Sequence, residues 1–231
     1  MDQMELSHLL AVSRGDEPAD LLLVNGCVAN VFTGEILEAQ IAIAGDRIAA
    51  VGHGYNGKQV LDLHGRIVVP GLIDTHVHIE SSMCNPREFA RLVLPHGVTT
   101  VVSDPHEIAN VAGVDGIRYM LDASEGLPLT VFFTLPSCVP ATTMGSAGAS
   151  LEAKDLIPLR AHERVLGLAE FMNVPGATLG LPDAAEKLLA FQNGHIDGHA
   201  PGVTGRQLQA YVAAGPLTDH ESGGAEEAFP L

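Results

Sequence analysis

The residues best suited to chemistry are four histidines and one glutamate, because imidazole nitrogens and carboxylate oxygens bind divalent metal ions. They are His76, His78, Glu170, His199 and His220. His76 and His78 end a strand-like run, and side chains two positions apart on a strand share a face, so both rings could reach one ion. The pair alone is weak evidence, because 11 histidines in 231 residues give about half an H-x-H pair by chance. Two surface histidines in a loop are the alternative.

The other three residues also lie at the ends of strand-like runs. Glu170 comes after VLGLA, where a carboxylate needs a charged or hydrogen-bonding partner. His199 lies in DGHAPG, and His220 lies in TDHE. Four imidazoles and one carboxylate suit Zn²⁺, Mn²⁺ or Fe²⁺. A structural zinc needs only four ligands, so the five residues predict a site for two metal ions, with Glu170 as the bridging carboxylate.

Strand-like and helical segments alternate after Pro70-Gly71, and they would position these residues. The strand-like runs are GLIDTHVH, VTTVVSD, LTVFFTL, VLGLAEF, HIDGHAP and GPLTDHE. Such alternation predicts a parallel sheet covered by helices, for which a doubly wound sheet is one solution. The candidate ligands end the first, fourth, fifth and sixth runs, and the strand ends of a (β/α)8 barrel of the TIM type meet at one face. We therefore predict an α/β fold with an incomplete barrel of about strands 1–6.

The pattern of apolar runs and turn residues along the chain predicts three regions. Residues 1–18 form an N-terminal tail with a short helix, and residues 19–69 form part of a small β-sandwich domain because short β-like runs alternate with Gly and Asn turns. Residues 70–231 form the truncated barrel.

Composition excludes several classes of protein. The formal charge of −16 argues against binding to nucleic acid or to an anionic membrane. No apolar run approaches the roughly 20 residues of a membrane span, and the first residues lack the basic segment of a secretion signal. The three dispersed cysteines fit a reducing compartment, so we expect a cytoplasmic protein. The lack of a P-C-x-x-C segment argues against the small zinc deaminases of nucleobases.

Longer motifs make the chain similar to a known family. VVPGLIDTHVH resembles the first barrel strand of the amidohydrolase superfamily. More specific runs resemble the bacterial adenine deaminases, from about Ala19 to about Ala228: HVHIESSM, VVSDPHEIANV, LPSCVPAT, GLAEFMNVPG, DGHAPG and TDHE. The resemblance implies that His76 and His78 hold one metal ion, His199 and His220 hold the other, and Glu170 bridges them. It also implies the hydrolytic deamination of adenine to hypoxanthine and ammonia, a step of adenine catabolism, with Mn, Fe or Zn as the metal.

The chain departs from the family pattern in one respect. The family's general base is an aspartate on strand eight, and no residue of this chain matches it. We therefore expect weak metal binding and little deaminase activity from this chain alone, which could act as a homo-oligomer or with a complementing C-terminal fragment. The alternatives are another amidohydrolase with a cyclic amide or amidine substrate, and a non-catalytic metal-binding remnant.

Four further residues could contact the small-molecule substrate or orient the ligands, namely Asp74, Glu80, Asp104 and His106. Asp104 and His106 follow the second strand, where the alternative is a turn that starts a helix. Glu80 could position the purine or cap the next helix, and Asp74 is expected to orient a ligand or bind the backbone. The loop 135–149 could be a lid or a tolerated insertion.

Overall fold

The computed structural model describes residues 1–142, 144 and 146–228. Positions 143 and 145 of the loop 135–149, and the last three residues of the region 70–231, lie outside the described residues. The chain divides into two compact units, Met1–Pro70 and Gly71–Leu231. Within the described residues, none of the helices has the length and apolar character that crossing a membrane requires.

The first unit begins with helix α1 (Gln3–Arg14), whose two ends are set by local sequence. The Asp2 side chain accepts a hydrogen bond from the Glu5 backbone N–H, and the Glu5 side chain accepts one from the Asp2 N–H, which is a capping box. The helix stops at Gly15, whose φ of 79° is a left-handed conformation that glycine adopts without strain.

Residues 1–70, all of which the structure describes, also contain seven strands. They are β1 (Ala19–Val24), β2 (Cys27–Asn30), β3 (Glu35–Glu38), β4 (Gln40–Ala44), β5 (Arg47–Gly52), β6 (Gly57–Asp62) and β7 (Ile67–Val68). They form a four-stranded sheet in the order β5-β4-β1-β6 and a three-stranded sheet in the order β3-β2-β7. Val12 of α1 joins Leu22 and Ala42 of the larger sheet in a small buried core, so the helix packs on that sheet.

The second unit is built on one parallel sheet. Its described part contains five strands, β8 (Leu72–Val77), β9 (Val98–Ser103), β10 (Thr130–Leu135), β11 (Val165–Phe171) and β12 (His195–Gly198). Each strand lies beside the one before it, in the order β12-β11-β10-β9-β8, and each pairing is parallel. A doubly wound sheet would instead reverse its strand order partway along. The prediction of an incomplete barrel is confirmed, and the doubly wound alternative was wrong.

Helices lie between these strands and after β12. They are α2 (Pro86–Val93), α3 (His106–Ala123), α4 (Ala153–Leu156), α5 (Val174–Leu179), α6 (Pro182–Phe191), α7 (Gly205–Ala213) and α8 (Ala225–Ala228). Apolar side chains of the strands and helices share one buried core, in which Phe133 of β10, Ile117 of α3 and Phe191 of α6 are almost fully inaccessible to solvent. At Gly167 in β11 a Cβ atom would overlap the backbone carbonyl of His195, so only glycine allows β11 and β12 to approach this closely.

The sixth strand-like run, GPLTDHE, does not form a strand. Its backbone is extended beside β12, and the Leu217 N–H donates to the Ile196 carbonyl at 2.9 Å, but no ladder follows. Pro216 has no N–H to donate, and the run is short. His220 is therefore held by a loop rather than by a strand.

Candidate metal centre

Glu170 lies at the middle of the site. It is the penultimate residue of β11 and is only 3% exposed. Its Oε1 faces three imidazoles, at 3.5 Å from His78 Nε2, 3.4 Å from His106 Nδ1 and 4.0 Å from His76 Nε2. One carboxylate oxygen of Glu170 thus lies near imidazoles that follow the ends of β8 and β9.

The other oxygen of Glu170 faces a different pair of imidazoles. Its Oε2 lies 2.5 Å from His199 Nδ1 and 3.4 Å from His220 Nε2. The loop after β12 is fixed by Tyr211 of α7, whose hydroxyl accepts from the His199 backbone N–H at 2.9 Å and donates to the Phe171 carbonyl at 2.7 Å. The structure therefore brings the four histidines proposed from sequence around the carboxylate of Glu170, the fifth proposed residue.

His76 and His78 point the same ring atom inward. Their Nε2 atoms lie 3.1 Å apart, while His76 Nδ1 lies 2.8 Å from Asp197 Oδ2 and His78 Nδ1 lies 2.9 Å from the Asp104 carbonyl oxygen. Both outer partners can only accept a hydrogen bond, so each Nδ1 carries the proton and each Nε2 offers its lone pair to the interior. Orientation of metal-binding histidines through the other ring nitrogen is the usual arrangement.

Asp197 is a functional residue that sequence reasoning missed. It is 6% exposed, accepts from His76, and also accepts from the Thr218 hydroxyl through Oδ1. Burial opposes its ionisation, but the hydrogen bonds from His76 and Thr218 and the nearby His220 lower its pKa to about 2. A carboxylate two positions before His199 in the run HIDGHAP shares that residue's face of the strand, which is the signal that could have identified it.

Asp104 and His106 lie beside this group. His106 Nδ1 is 2.8 Å from Asp104 Oδ2, and its Nε2 is 3.7 Å from Glu107 Oε1. Burial raises the pKa of Asp104. Burial lowers the pKa of His106, but the hydrogen bond to Asp104 and the charges of Glu107 and Glu170 outweigh it and raise that pKa to about 9. The helix start is observed, since α3 begins at His106, whereas a contact of Asp104 or His106 with substrate or ligands stays a prediction.

Asp74 and Glu80 make different contacts. Asp74 is exposed and accepts from the His76 backbone N–H at 3.2 Å, so it supports the backbone of a candidate ligand. Glu80 accepts from the Ile108 N–H at 3.2 Å, and burial raises the pKa of its carboxyl group. Neither belongs to a group of the described residues that could hold a metal ion.

The donor set fits divalent cations. Among the described residues three groups could hold an ion: His78 with Asp104, His106 and Glu170; His76 with Glu170 and His220; and His199 with His220 and Glu221. Two nitrogens that each bind one ion at about 2.1 Å lie about 3 Å apart, which matches the 3.1 Å between the Nε2 atoms of His76 and His78. His199 Nδ1 is buried and lies 2.5 Å from Glu170 Oε2, and it makes no hydrogen bond of acceptable geometry within the described residues.

Comparisons with known proteins agree with this architecture. The chain is 52% identical over 224 residues to an adenine deaminase of Cereibacter sphaeroides and 50% identical over 224 residues to one of Desulfatibacillum aliphaticivorans. The alignments cover 97% and 96% of this chain but 40% and 39% of those relatives, so the chain spans about 40% of their length.

A solved structure and a family profile extend the comparison. A D-aminoacylase mutant in complex with copper(II) chloride superposes with a TM-score of 0.63 at 19% identity, covering 91% of this chain and 53% of that one, which shows a shared fold. The sequence profile of the amidohydrolase family matches residues 67–227, which hold the whole parallel sheet and all the residues around Glu170. The chain belongs to the amidohydrolase family.

Proposed function

We propose that the metal centre of this chain serves the hydrolytic deamination of adenine, which yields hypoxanthine and ammonia. The observation that carries the proposal is the arrangement around Glu170, whose two oxygens face separate groups of imidazoles. A carboxylate between two sets of nitrogen donors suits a pair of cations better than one. The identity of about 50% to proteins named adenine deaminase supports adenine as the substrate.

The roles of the ligands follow from the two sides of Glu170. His76 and His78 would hold one ion, His199 and His220 would hold the other, and Glu170 would bridge them. Manganese, iron and zinc all accept such a mixture of nitrogen and oxygen donors. Divalent ions bound here would polarise a substrate and lower the pKa of water, which makes a nucleophile available near neutral pH.

Hydrogen bonds within the chain orient two of the candidate ligands. Asp197 and the Asp104 carbonyl hold the Nδ1 protons of His76 and His78, so neither ring can turn its lone pair away from the interior. The resemblance assigns proton transfer to an aspartate on strand eight that no residue of this chain matches. We therefore expect the chain by itself to turn over adenine slowly, if at all.

Complementation tests the substrate. The chain would be loaded with Mn²⁺ and mixed with the separately expressed remainder of the Cereibacter sphaeroides relative, and hypoxanthine and ammonia would be measured. We expect deamination of adenine in the mixture, and its loss when Glu170→Gln replaces the native chain. His96→Gln is the matched control, because His96 is exposed on a 3-10 turn before β9.

Two results would contradict the proposal. One is a mixture that binds Mn²⁺ but leaves adenine unchanged while it hydrolyses a dihydropyrimidine, a hydantoin or an N-acyl amino acid. The other is a stoichiometry of one ion per chain, measured by elemental analysis after dialysis. That result would exclude a centre of two metal ions.

A further inference from the structure

Two residues at the end of β9 approach the Oε1 side of Glu170. One ligand atom from each of His78, Asp104, His106 and Glu170 lies within 4.8 Å of the other three. We propose that Asp104 and His106 are additional ligands of the cation on this side, beyond the five residues that the family resemblance assigns. The inference rests on the metal centre of the proposed function and adds the end of β9 to the ends of β8, β11 and β12 that already contribute to it.

Unsatisfied polar atoms support this role. Asp104 is 1% exposed, and its Oδ1 has no hydrogen-bond partner within the described chain. His106 Nδ1 faces two carboxylate oxygens at once, 2.8 Å from Asp104 Oδ2 and 3.4 Å from Glu170 Oε1. One N–H proton cannot donate a good hydrogen bond to both oxygens. Asp104 Oδ1 also remains a buried polar atom without a partner in the described residues, which is unfavourable in free energy. A divalent cation here could be shared by His106 Nδ1, Glu170 Oε1 and one carboxylate oxygen of Asp104.

The distances between the donors also suit a shared ion. Ligand atoms about 2.1 Å from one cation lie roughly 3.0 to 3.5 Å apart. His78 Nε2 is 3.5 Å and His106 Nδ1 is 3.4 Å from Glu170 Oε1. The carboxylate of Glu107, whose Oε1 lies 3.7 Å from His106 Nε2, would favour the ring proton on Nε2, which leaves Nδ1 free to bind a metal.

The segment that carries these residues is held against β8. The Asp104 backbone N–H donates to the Val77 carbonyl at 3.0 Å, and the Ser81 hydroxyl donates to Glu107 Oε1 at 2.8 Å. Asp104 and His106 are therefore placed by backbone and side-chain hydrogen bonds rather than by the ion itself. Such a preformed position is what a ligand needs in order to contribute affinity.

The added donors change the expected metal. His78, His106, Asp104 and Glu170 would give the ion on this side two imidazole nitrogens and two carboxylate oxygens. Carboxylate oxygens suit Mn²⁺, and two histidines with a carboxylate are typical of Fe²⁺ sites, whereas structural zinc is held mostly by nitrogen and sulfur. We therefore expect this side of the centre to prefer Mn²⁺ or Fe²⁺ to Zn²⁺.

Pulsed EPR of the Mn²⁺-loaded chain, labelled with ¹⁵N-histidine, counts the imidazoles bound to the metal and does not depend on activity. We expect His106→Gln to lose one bound imidazole and to weaken Mn²⁺ binding by more than about 100-fold, because changing an outer partner of a ligand costs only about 10- to 100-fold. Asp104→Asn should weaken Mn²⁺ binding more than Zn²⁺ binding. The exposed His96→Gln should change neither quantity, and circular dichroism in EDTA would verify that each variant folds.

An unchanged imidazole count in a folded His106→Gln chain would overturn the inference. If that variant does not fold, anomalous scattering from Mn²⁺ in crystals of the native chain decides the question. A peak about 2.2 Å from His106 Nδ1 supports ligation, and a peak beyond about 3 Å refutes it. Native chain that binds Mn²⁺ through His76 and His199 but not through His106 would refute only this inference, whereas native chain that binds no metal would also refute the proposed centre.

Discussion

Replacing Asp197 with asparagine tests how far the metal centre depends on a residue that binds no metal itself. Asp197 Oδ2 accepts from His76 Nδ1 at 2.8 Å, while Oδ1 accepts from the Gly198 N–H at 3.0 Å and from the Thr218 hydroxyl. An amide has one oxygen in place of two and carries no charge. In Asp197→Asn, either His76 or the Thr218 and Gly198 donors must face an NH₂ group, so the orientation of the His76 ring is no longer fixed.

The size of the effect follows from the bond that is lost. A hydrogen bond to a charged group contributes about 1.5 to 3 kcal/mol. Because a factor of ten in affinity corresponds to about 1.4 kcal/mol, the metal affinity of Asp197→Asn should fall by roughly 10- to 100-fold. Removal of outer partners of metal-binding histidines has effects of about this size. Competition with a chromogenic chelator, at constant pH, would measure the dissociation constant for Mn²⁺ in the native chain and in the variant.

A surface carboxylate provides the control. The side chain of Asp115 is 85% exposed on α3, so Asp115→Asn should leave the Mn²⁺ affinity within about twofold of the native value. The reasoning fails if a folded Asp197→Asn chain binds Mn²⁺ within about threefold as tightly as the native chain. Such a result would mean that His76 keeps its orientation without a charged partner, or that it is not a ligand.

Two further predictions concern stability. His8 lies 2.8 Å from Glu17 and 3.1 Å from Asp20, which raise its pKa above 6.5. His8→Gln should therefore lower the melting temperature below pH 6.5, and the deficit should shrink as the pH rises through the raised pKa. A deficit that grows with pH in thermal scans would contradict this. Lys187 is buried, and among the described residues its ion pair is with the exposed Asp183 at 3.2 Å. Asp183→Asn should therefore destabilise the chain by about 1 kcal/mol in urea, whereas Lys187→Met should be neutral or stabilising. Equal losses in both variants would refute the second prediction.

The sequence predicted the architecture wherever it depends on local pattern. The alternation of apolar runs and helical segments was sufficient for a parallel α/β sheet, and the residues at the run ends distinguished a barrel from a doubly wound sheet. The end of α1 at Gly15 and the start of α2 at Pro86 could also be predicted, because glycine lacks the Cβ that disfavours a left-handed conformation and the proline ring fixes φ at a helical value. The sequence did not predict that the sixth run, GPLTDHE, forms no strand, because a β ladder depends on a neighbouring strand and not on the run alone.

For the candidate site, the sequence by itself determined which strand ends carry imidazole and carboxylate groups, since parallel strands deliver their carboxyl ends to one face. Only the tertiary structure decided which groups meet. The contact between His76 and Asp197 joins side chains 121 residues apart. The contact between His106 and Glu170 likewise joins side chains that are far apart in the sequence, so no local pattern predicts it. Such contacts depend on the twist and spacing of neighbouring strands, and these distances between strands leave no periodic trace along the chain.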